Sequence, residues 1–175
     1  MAVSANLIKE LREQTCCGVM DCRKALEEAG GDLEKAKKIL HKRGLEIAEK
    51  KSGRVVSQGR IEAYIHLGCK IGVLLEVNCE SDFVAKNEDF TKFTKDVAMQ
   101  IAAACPKYIK REEVPEEALA KIEKREDFFK AHCLLEQPFI RDPNITIKDY
   151  LTSLVAKIGE NIVIRRFSRF QVGVE

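Results

Sequence analysis

The sequence predicts an α+β protein, with an N-terminal module of three helices followed by an α/β core in which packed helices cover an antiparallel sheet. Three observations carry that expectation. Between residues 7 and 40, apolar side chains recur every three or four positions in three short runs. Residues 61–77 switch to a period of two, in two runs separated by a glycine-containing turn. Helical spacing returns after residue 87, and residues 162–170 end the fold with a run suited to a strand. The expected boundaries are 1–44 for the module, 45–53 for a charged connector and 54–175 for the core.

Within the module, Leu7, Ile8 and Leu11 give a first helix its apolar stripe beside Lys9, Glu10 and Arg12. Thr15-Cys16-Cys17-Gly18 breaks it, and Cys22, Ala25, Leu26 and Ala29 form the stripe of a second helix. Gly30-Gly31 suits a helix C-terminus and Asp32 can cap a third helix, which carries Leu33, Ala36, Ile39 and Leu40. Residues 45–52 are charged, end at Gly53, and are expected to stay partly helical while letting the module pack separately.

In the core, Ile61, Ala63 and Ile65 alternate with Glu62, Tyr64 and His66. After the Leu67-Gly68-Cys69-Lys70 turn, Ile71, Val73, Leu75 and Val77 alternate again, so a β-hairpin is expected. Phe90, Phe93, Val97 and Ile101 come next at helical spacing, with Asn87 as N-cap and Glu88 and Asp89 at the positive helix end. Pro115 suits the start of another helix, from Glu116 to about His132, with Phe128 and Phe129 expected in the core. Asp142-Pro143-Asn144 reads as a turn, Leu151, Leu154, Val155 and Ile158 as a last helix, and Ile162–Phe170 as the closing strand.

Composition narrows the function classes. The 175 residues are 45% hydrophobic, which suits one domain or one domain with a small module, and a net charge of +2 does not by itself imply nucleic acid. No stretch approaches the ~20 apolar residues of a membrane span. Met1-Ala2-Val3-Ser4-Ala5-Asn6 lacks the basic-then-apolar pattern of a signal peptide. The seven cysteines are odd in number and include the adjacent Cys16 and Cys17. Cys22, Cys69, Cys79, Cys105 and Cys133 have apolar neighbours and read as small hydrophobes, so reduced thiols and a cytoplasmic location are expected. There is no Cys-x-x-Cys pair, and His41, His66 and His132 lack ligand partners at chelating spacing, so neither metal nor cofactor is expected. With no Gly-x-x-x-x-Gly-Lys-Ser/Thr loop, Gly-x-Ser-x-Gly elbow or Cys-His nucleophile, the chain does not read as an enzyme.

The richest stretch is Ser81-Asp82-Phe83-Val84-Ala85-Lys86-Asn87, a short connection between a predicted strand and a predicted helix. Such a corner can present an acid and an aromatic to a partner, or Phe83 and Val84 can simply tuck under it. The stretch is similar to the Thr-Asp-Phe-Val-Ala-Lys-Asn signature of the elongation factor Ts family, with Ser81 keeping the hydroxyl. Leu7-Ile8-Lys9-Glu10-Leu11-Arg12-Glu13 and Gly18-Val19-Met20-Asp21-Cys22 resemble that family's N-terminal module, itself of the ubiquitin-associated type. Leu134-Leu135-Glu136-Gln137-Pro138-Phe139 and Ile158-Gly159-Glu160-Asn161-Ile162-Val163-Ile164-Arg165-Arg166-Phe167 resemble its C-terminal region.

The resemblance implies a guanine-nucleotide exchange factor for elongation factor Tu. Ser81, Asp82, Phe83 and Val84 would intrude near the partner's magnesium and phosphate site, and Arg12, Gly18, Val19 and Met20 would form a second contact surface. For Met20, a core position is the alternative. The segment between the Pro115 helix and Leu134 is shorter than the family's usual helical hairpin. Some short members of the family pair as homodimers, so the resemblance makes a homodimer a possibility here, with Ile162–Phe170 as a candidate strand. Ser168 replaces a cysteine the family can carry there, which removes a disulfide at that position. A second reading takes Arg165-Arg166-Phe167-Ser168-Arg169-Phe170 as an RNA-stacking strand, although the near-neutral charge speaks against it. A third, a ubiquitin-binding adaptor, explains only the helical module.

Overall fold

The computed structural model describes residues 3–15, 17–120 and 122–173; Met1, Ala2 and Cys16 lie outside them. The helices are α1 (Ala5–Thr15), α2 (Val19–Glu28), α3 (Leu33–Lys51), α4 (Asp82–Ala85), α5 (Glu88–Ala104), α6 (Glu116–Leu119), α7 (Arg125–His132) and α8 (Ile147–Ile158). The strands are β1 (Gln58–Ile65), β2 (Ile71–Cys79), β3 (Pro138–Phe139), β4 (Asp142–Thr146) and β5 (Ile162–Gln171). The α+β class is as the periodicities predict. The chain divides into two compact units, Met1–Val55 with Leu151–Asn161, and Val56–Tyr150 with Ile162–Glu175.

In the first unit, Leu11, Cys22, Ala25, Leu26, Ala36 and Leu40 form the buried cluster. Gly30 and Gly31 adopt φ of +64° and +88°, a conformation glycine takes without steric cost, and Gly31 N–H donates to Leu26 O at 2.9 Å to end α2. The Asp32 carboxylate then caps α3 by accepting from Lys35 N–H at 3.0 Å. Helix α3 does not stop at Gly44 but runs to Lys51, through most of the expected connector. A β-carbon at Gly44 would stand 3.5 Å from Thr152 Cγ2 and 3.8 Å from Ala156 Cβ, so α3 and the latter part of α8 approach closely there. Lys51 Nζ donates to Gly159 O, and Asn161 Nδ2 donates to Ser52 O at 3.3 Å and Arg54 O at 2.9 Å.

The second unit is built on a three-stranded antiparallel sheet in the order β1-β2-β5. The central strand buries Val73, Leu75, Val77 and Cys79 on one face, and α5 buries Phe90, Phe93, Val97 and Ile101, the stripe read from spacing. Buried amides fasten the start of the β3-β4 pair to α5. Gln100 Nε2 donates to Gln137 Oε1 and Pro138 O, each at 3.2 Å, and its Oε1 accepts from Ile140 N–H at 2.9 Å. The register of β2 and β5 slips between Glu76 and Val77, leaving Arg165 as the extra residue of a bulge.

Four findings go beyond the expectations or correct them. First, β1 turns its polar side inward. Glu62 is buried whereas Ile61 and Ile65 are exposed, because Arg60 Nε at 2.9 Å and Thr94 Oγ1 at 3.3 Å satisfy the Glu62 carboxylate. Second, the helix expected from Glu116 to about His132 is broken into α6 and α7, since Ile122 is the only large apolar residue in 120–127 and nothing there can sustain packing. Third, Phe128 and Phe129 are half-buried rather than core, and the Arg111 guanidinium lies 4.8 Å above the Phe129 ring. Fourth, Cys69 and Cys105 are exposed, at φ of +55° and +47°, in the hairpin turn and as the left-handed cap of α5, rather than buried as small hydrophobes.

A candidate docking corner

The corner is assembled from the end of β2 onward. Ser81 has extended backbone and its Oγ accepts from Val84 N–H at 3.4 Å, which starts the single turn of α4. Lys86 ends that turn, its backbone N–H donating to Phe83 O at 3.3 Å, and Asn87 starts α5, its Oδ1 accepting from Asp89 N–H at 2.8 Å. Trapped between two caps, a four-residue helix has little freedom to rearrange. In the polar set around Glu62, Arg60 Nη1 also donates to Thr91 Oγ1 at 3.2 Å and so joins β1 to the first turn of α5, the helix that follows the corner. Gly59 allows β1 to begin there at all. A β-carbon on it would fall 2.4 Å from Val77 O and 2.8 Å from Asn78 Cα.

On this support Phe83 is 82% exposed, while Val84 is half-buried. Phe83 does not tuck under the corner. A large aromatic held in water by capped backbone contributes little to folding and is available to a partner. Asp82 is exposed and its Oδ2 accepts from Lys86 Nζ at 2.9 Å. That hydrogen bond, with the charge of Lys86, holds the Asp82 carboxyl below the usual carboxylate range. The i, i+4 spacing of Asp82 and Lys86 is present in the sequence, and it is the signal by which this pair could have been found.

The second candidate group lies in the first unit. Arg12 is exposed on α1, and Gly18 is the extended N-cap of α2 without a side-chain cap. Val19 is 48% and Met20 59% exposed, so Met20 is not a core methionine. Ser81, Asp82, Phe83 and Val84 are drawn together on one turn, and Gly18, Val19 and Met20 on another; the two groups belong to different units.

Two of the three arginines of the RNA reading are engaged within the protein. Arg166 Nε pairs with Glu76 Oε2 at 2.6 Å, and Arg169 donates to Ala102 O from Nε at 3.3 Å and from Nη2 at 3.2 Å. Sequence reasoning missed the second face of the sheet, where Ile61, Ile65, Leu74 and Phe170 are all exposed. A signal existed in the apolar positions on both sides of the β2 alternation. Among the described residues no group of three or more His, Cys, Asp and Glu is placed to hold a metal ion, and no helix is long and apolar enough to cross a membrane.

A family model described as elongation factor TS matches residues 5–126. The chain is 53% identical to the elongation factor Ts of Carboxydothermus hydrogenoformans, covering 98% of this chain and 89% of that protein. It is 51% identical to the elongation factor Ts of Thermodesulfovibrio yellowstonii, covering 99% of this chain and 98% of that protein. The first of these alignments runs over 194 positions, more than the 175 residues present here, so that relative carries residues this chain lacks.

Proposed function

The chain belongs to the elongation factor Ts family, translation elongation factors, and from that premise we propose that it binds elongation factor Tu and promotes release of its GDP. The observation that carries this reading is the exposure of Phe83, at 82%, on a doubly capped turn at the end of the central strand. Wedging that ring into an apolar groove of the partner, with Asp82 alongside, displaces the elements that hold magnesium and the phosphates. No covalent chemistry is needed. A protein that binds the nucleotide-free partner more tightly than the GDP-bound one weakens GDP by the same factor. Val19 and Met20, with Arg12, supply a second foothold of exposed apolar side chains and a cation, a composition suited to an interface. The test is stopped-flow release of fluorescent GDP from elongation factor Tu. Release is accelerated as this protein is added, and a rate independent of its concentration overturns the reading.

The open face of the sheet supports pairing of two copies. Ile61 is 69% and Phe170 65% exposed there, beside Ile65 and Leu74, and exposed apolar side chains gathered on one face suit an interface. The apolar side chains lie on the face of the sheet, so it is the face rather than the strand edge that would be covered across a two-fold axis.

A further inference from the structure

Helix α5 is held to the sheet by two kinds of contact. Phe90, Phe93, Val97 and Ile101 are fully buried along it, and burial of apolar surface has no preferred direction. Hydrogen bonds are directional, and those from β1 reach the first two turns of the helix. Arg60 is their hub. Its Nε donates to Glu62 Oε2 at 2.9 Å while its Nη1 donates to Thr91 Oγ1 at 3.2 Å. Thr94 Oγ1 lies between two acceptors, Thr91 O at 2.9 Å and Glu62 Oε2 at 3.3 Å.

Glu62 is buried, and a carboxylate there carries a desolvation cost that a leucine would not. What the carboxylate supplies is orientation. A planar guanidinium pinned at Nε has its remaining nitrogens aimed in fixed directions, here at Thr91. From Thr91 the linkage to the corner is continuous. Thr91 N–H donates to Asn87 O at 2.9 Å, and Asn87 N–H donates to Val84 O at 3.0 Å. Val84 N–H in turn donates to Ser81 Oγ at 3.4 Å, and Phe83 stands on the turn so closed.

We infer that Arg60 and Glu62 are positioning residues for Phe83: by latching Thr91 to β1 they fix the start of α5 and, through Asn87, the turn that presents the ring. The inference rests on the proposed function, since it takes Phe83 as the group that docks. A ring on a loosened turn still meets the partner but is misplaced in the exchange-active complex. The loss therefore falls on release at saturating factor rather than on the half-saturating concentration.

The experiment uses the full chain. Thr91→Val keeps the shape of the side chain and removes the acceptor, whereas Thr91→Ser keeps the hydroxyl. Thr91 is half-buried and valine forms helix about as readily as threonine, so Thr91→Val melts close to the wild type. Hydrogen exchange of the Asn87 and Thr91 amides quickens by roughly tenfold, while that of Val97 and Ile101 keeps its wild-type rate. Release of fluorescent GDP from the exchange partner at saturating factor slows by roughly three- to tenfold with the half-saturating concentration unchanged. Thr91→Ser restores both readouts. Thr91→Val added to Phe83→Ala slows release no further, because the latch acts through the ring. Wild-type amide exchange or wild-type release in Thr91→Val overturns the inference. So does a Thr91→Ser protein as slow as Thr91→Val, or a loss that adds in full to that of Phe83→Ala. Phe83→Ala alone tests the parent reading. Release at the wild-type rate there removes the wedge and this inference with it, whereas slowed release there beside an unaltered Thr91→Val removes this inference alone.

Discussion

Lys86 Nζ lies 2.9 Å from Asp82 Oδ2, one turn along α4, so the acid of the candidate corner is paired before any partner arrives. Both groups are exposed, and such a pair adds little to stability because water screens it. Asp82→Asn is therefore expected to melt with the wild type and to slow GDP release severalfold, less than loss of Phe83. The hydrogen bond from Lys86 keeps the carboxyl below its usual range, so Asp82 remains charged throughout neutral and mildly acidic solution. Between about pH 5 and 8 the difference between wild type and Asp82→Asn should stay constant. A difference that titrates in that window would show that another group carries the effect.

A chain beginning at Ser52 removes the whole of α3 and with it the partners of α8. Thr152 and Ala156 lose the surface they approach at Gly44, and Gly159 O loses its Lys51 donor. The latter half of α8 is left with bare apolar surface. Such a chain should melt earlier and expose more hydrophobic surface than the full protein, as well as losing exchange. Cooperative melting at the full-length temperature would show that Leu151–Asn161 needs nothing from residues 1–51.

How far the fold could be read in advance depended on whether burial was apolar. Phe90, Phe93, Val97 and Ile101 are fully buried where helical spacing placed them, and Asp32 and Asn87 cap as their positions suggested. Glu62 went unread because a buried carboxylate is satisfied by Arg60 and Thr94, and such long-range pairing has no period. The break between α6 and α7 went unread because Pro115 and Phe128 suggested one helix although few apolar side chains lie between them. At the corner, residue types were legible and exposure was not. Nothing in Ser81–Asn87 alone says whether Phe83 points inward, and the caps at both ends settle its environment.

Arg111 joins two acids, Glu126 at 2.7 Å and Glu136 at 2.6 Å. The hydrogen bond from Arg111 lowers the Glu136 carboxyl below its ordinary value of 4.5, against the opposing effect of burial. A carboxyl whose folded value is depressed stabilises the fold above its unfolded value and loses that stabilisation as pH falls through the folded one. Glu136 therefore contributes fully at neutral pH and progressively less below about 4.5. Glu136→Gln should be destabilised at pH 7, and the gap to wild type should close in acid. Melting curves from pH 7 down to about 3 read this directly, and a gap of constant size would assign the effect to packing alone.

If the open sheet face pairs two chains, a charge placed in its middle should separate them. Leu74 is half-exposed on the central strand and lies opposite Ser168 and Ala63. Leu74→Glu should leave each chain folded, because its side chain is outside the buried core, and should shift light scattering from dimer to monomer mass. Ser168 offers no thiol, so reducing agent is expected to leave the wild-type mass unchanged. A wild-type monomer at tens of micromolar would remove the pairing.

The sharpest prediction concerns Phe83. A buried phenylalanine cut to alanine costs about 3–5 kcal/mol of stability, through lost transfer energy and the cavity left behind. At 82% exposure Phe83 has almost nothing of that kind to lose, so Phe83→Ala should cost roughly 1 kcal/mol or less. The same ring, buried in a partner, is worth about 1.5–3 kcal/mol. If that energy is realised only in the exchange-active complex, its loss slows GDP release by roughly ten- to a hundredfold. Leu75, fully buried two residues before the bulge partner Val77, provides the contrast. Leu75→Ala should destabilise by about 2–5 kcal/mol and, while folded, leave release near wild type. Melting curves and stopped-flow release for the two variants thus separate folding from docking. A Phe83→Ala protein that melts far earlier, or one that is stable and still releases GDP at the wild-type rate, would sink the wedge.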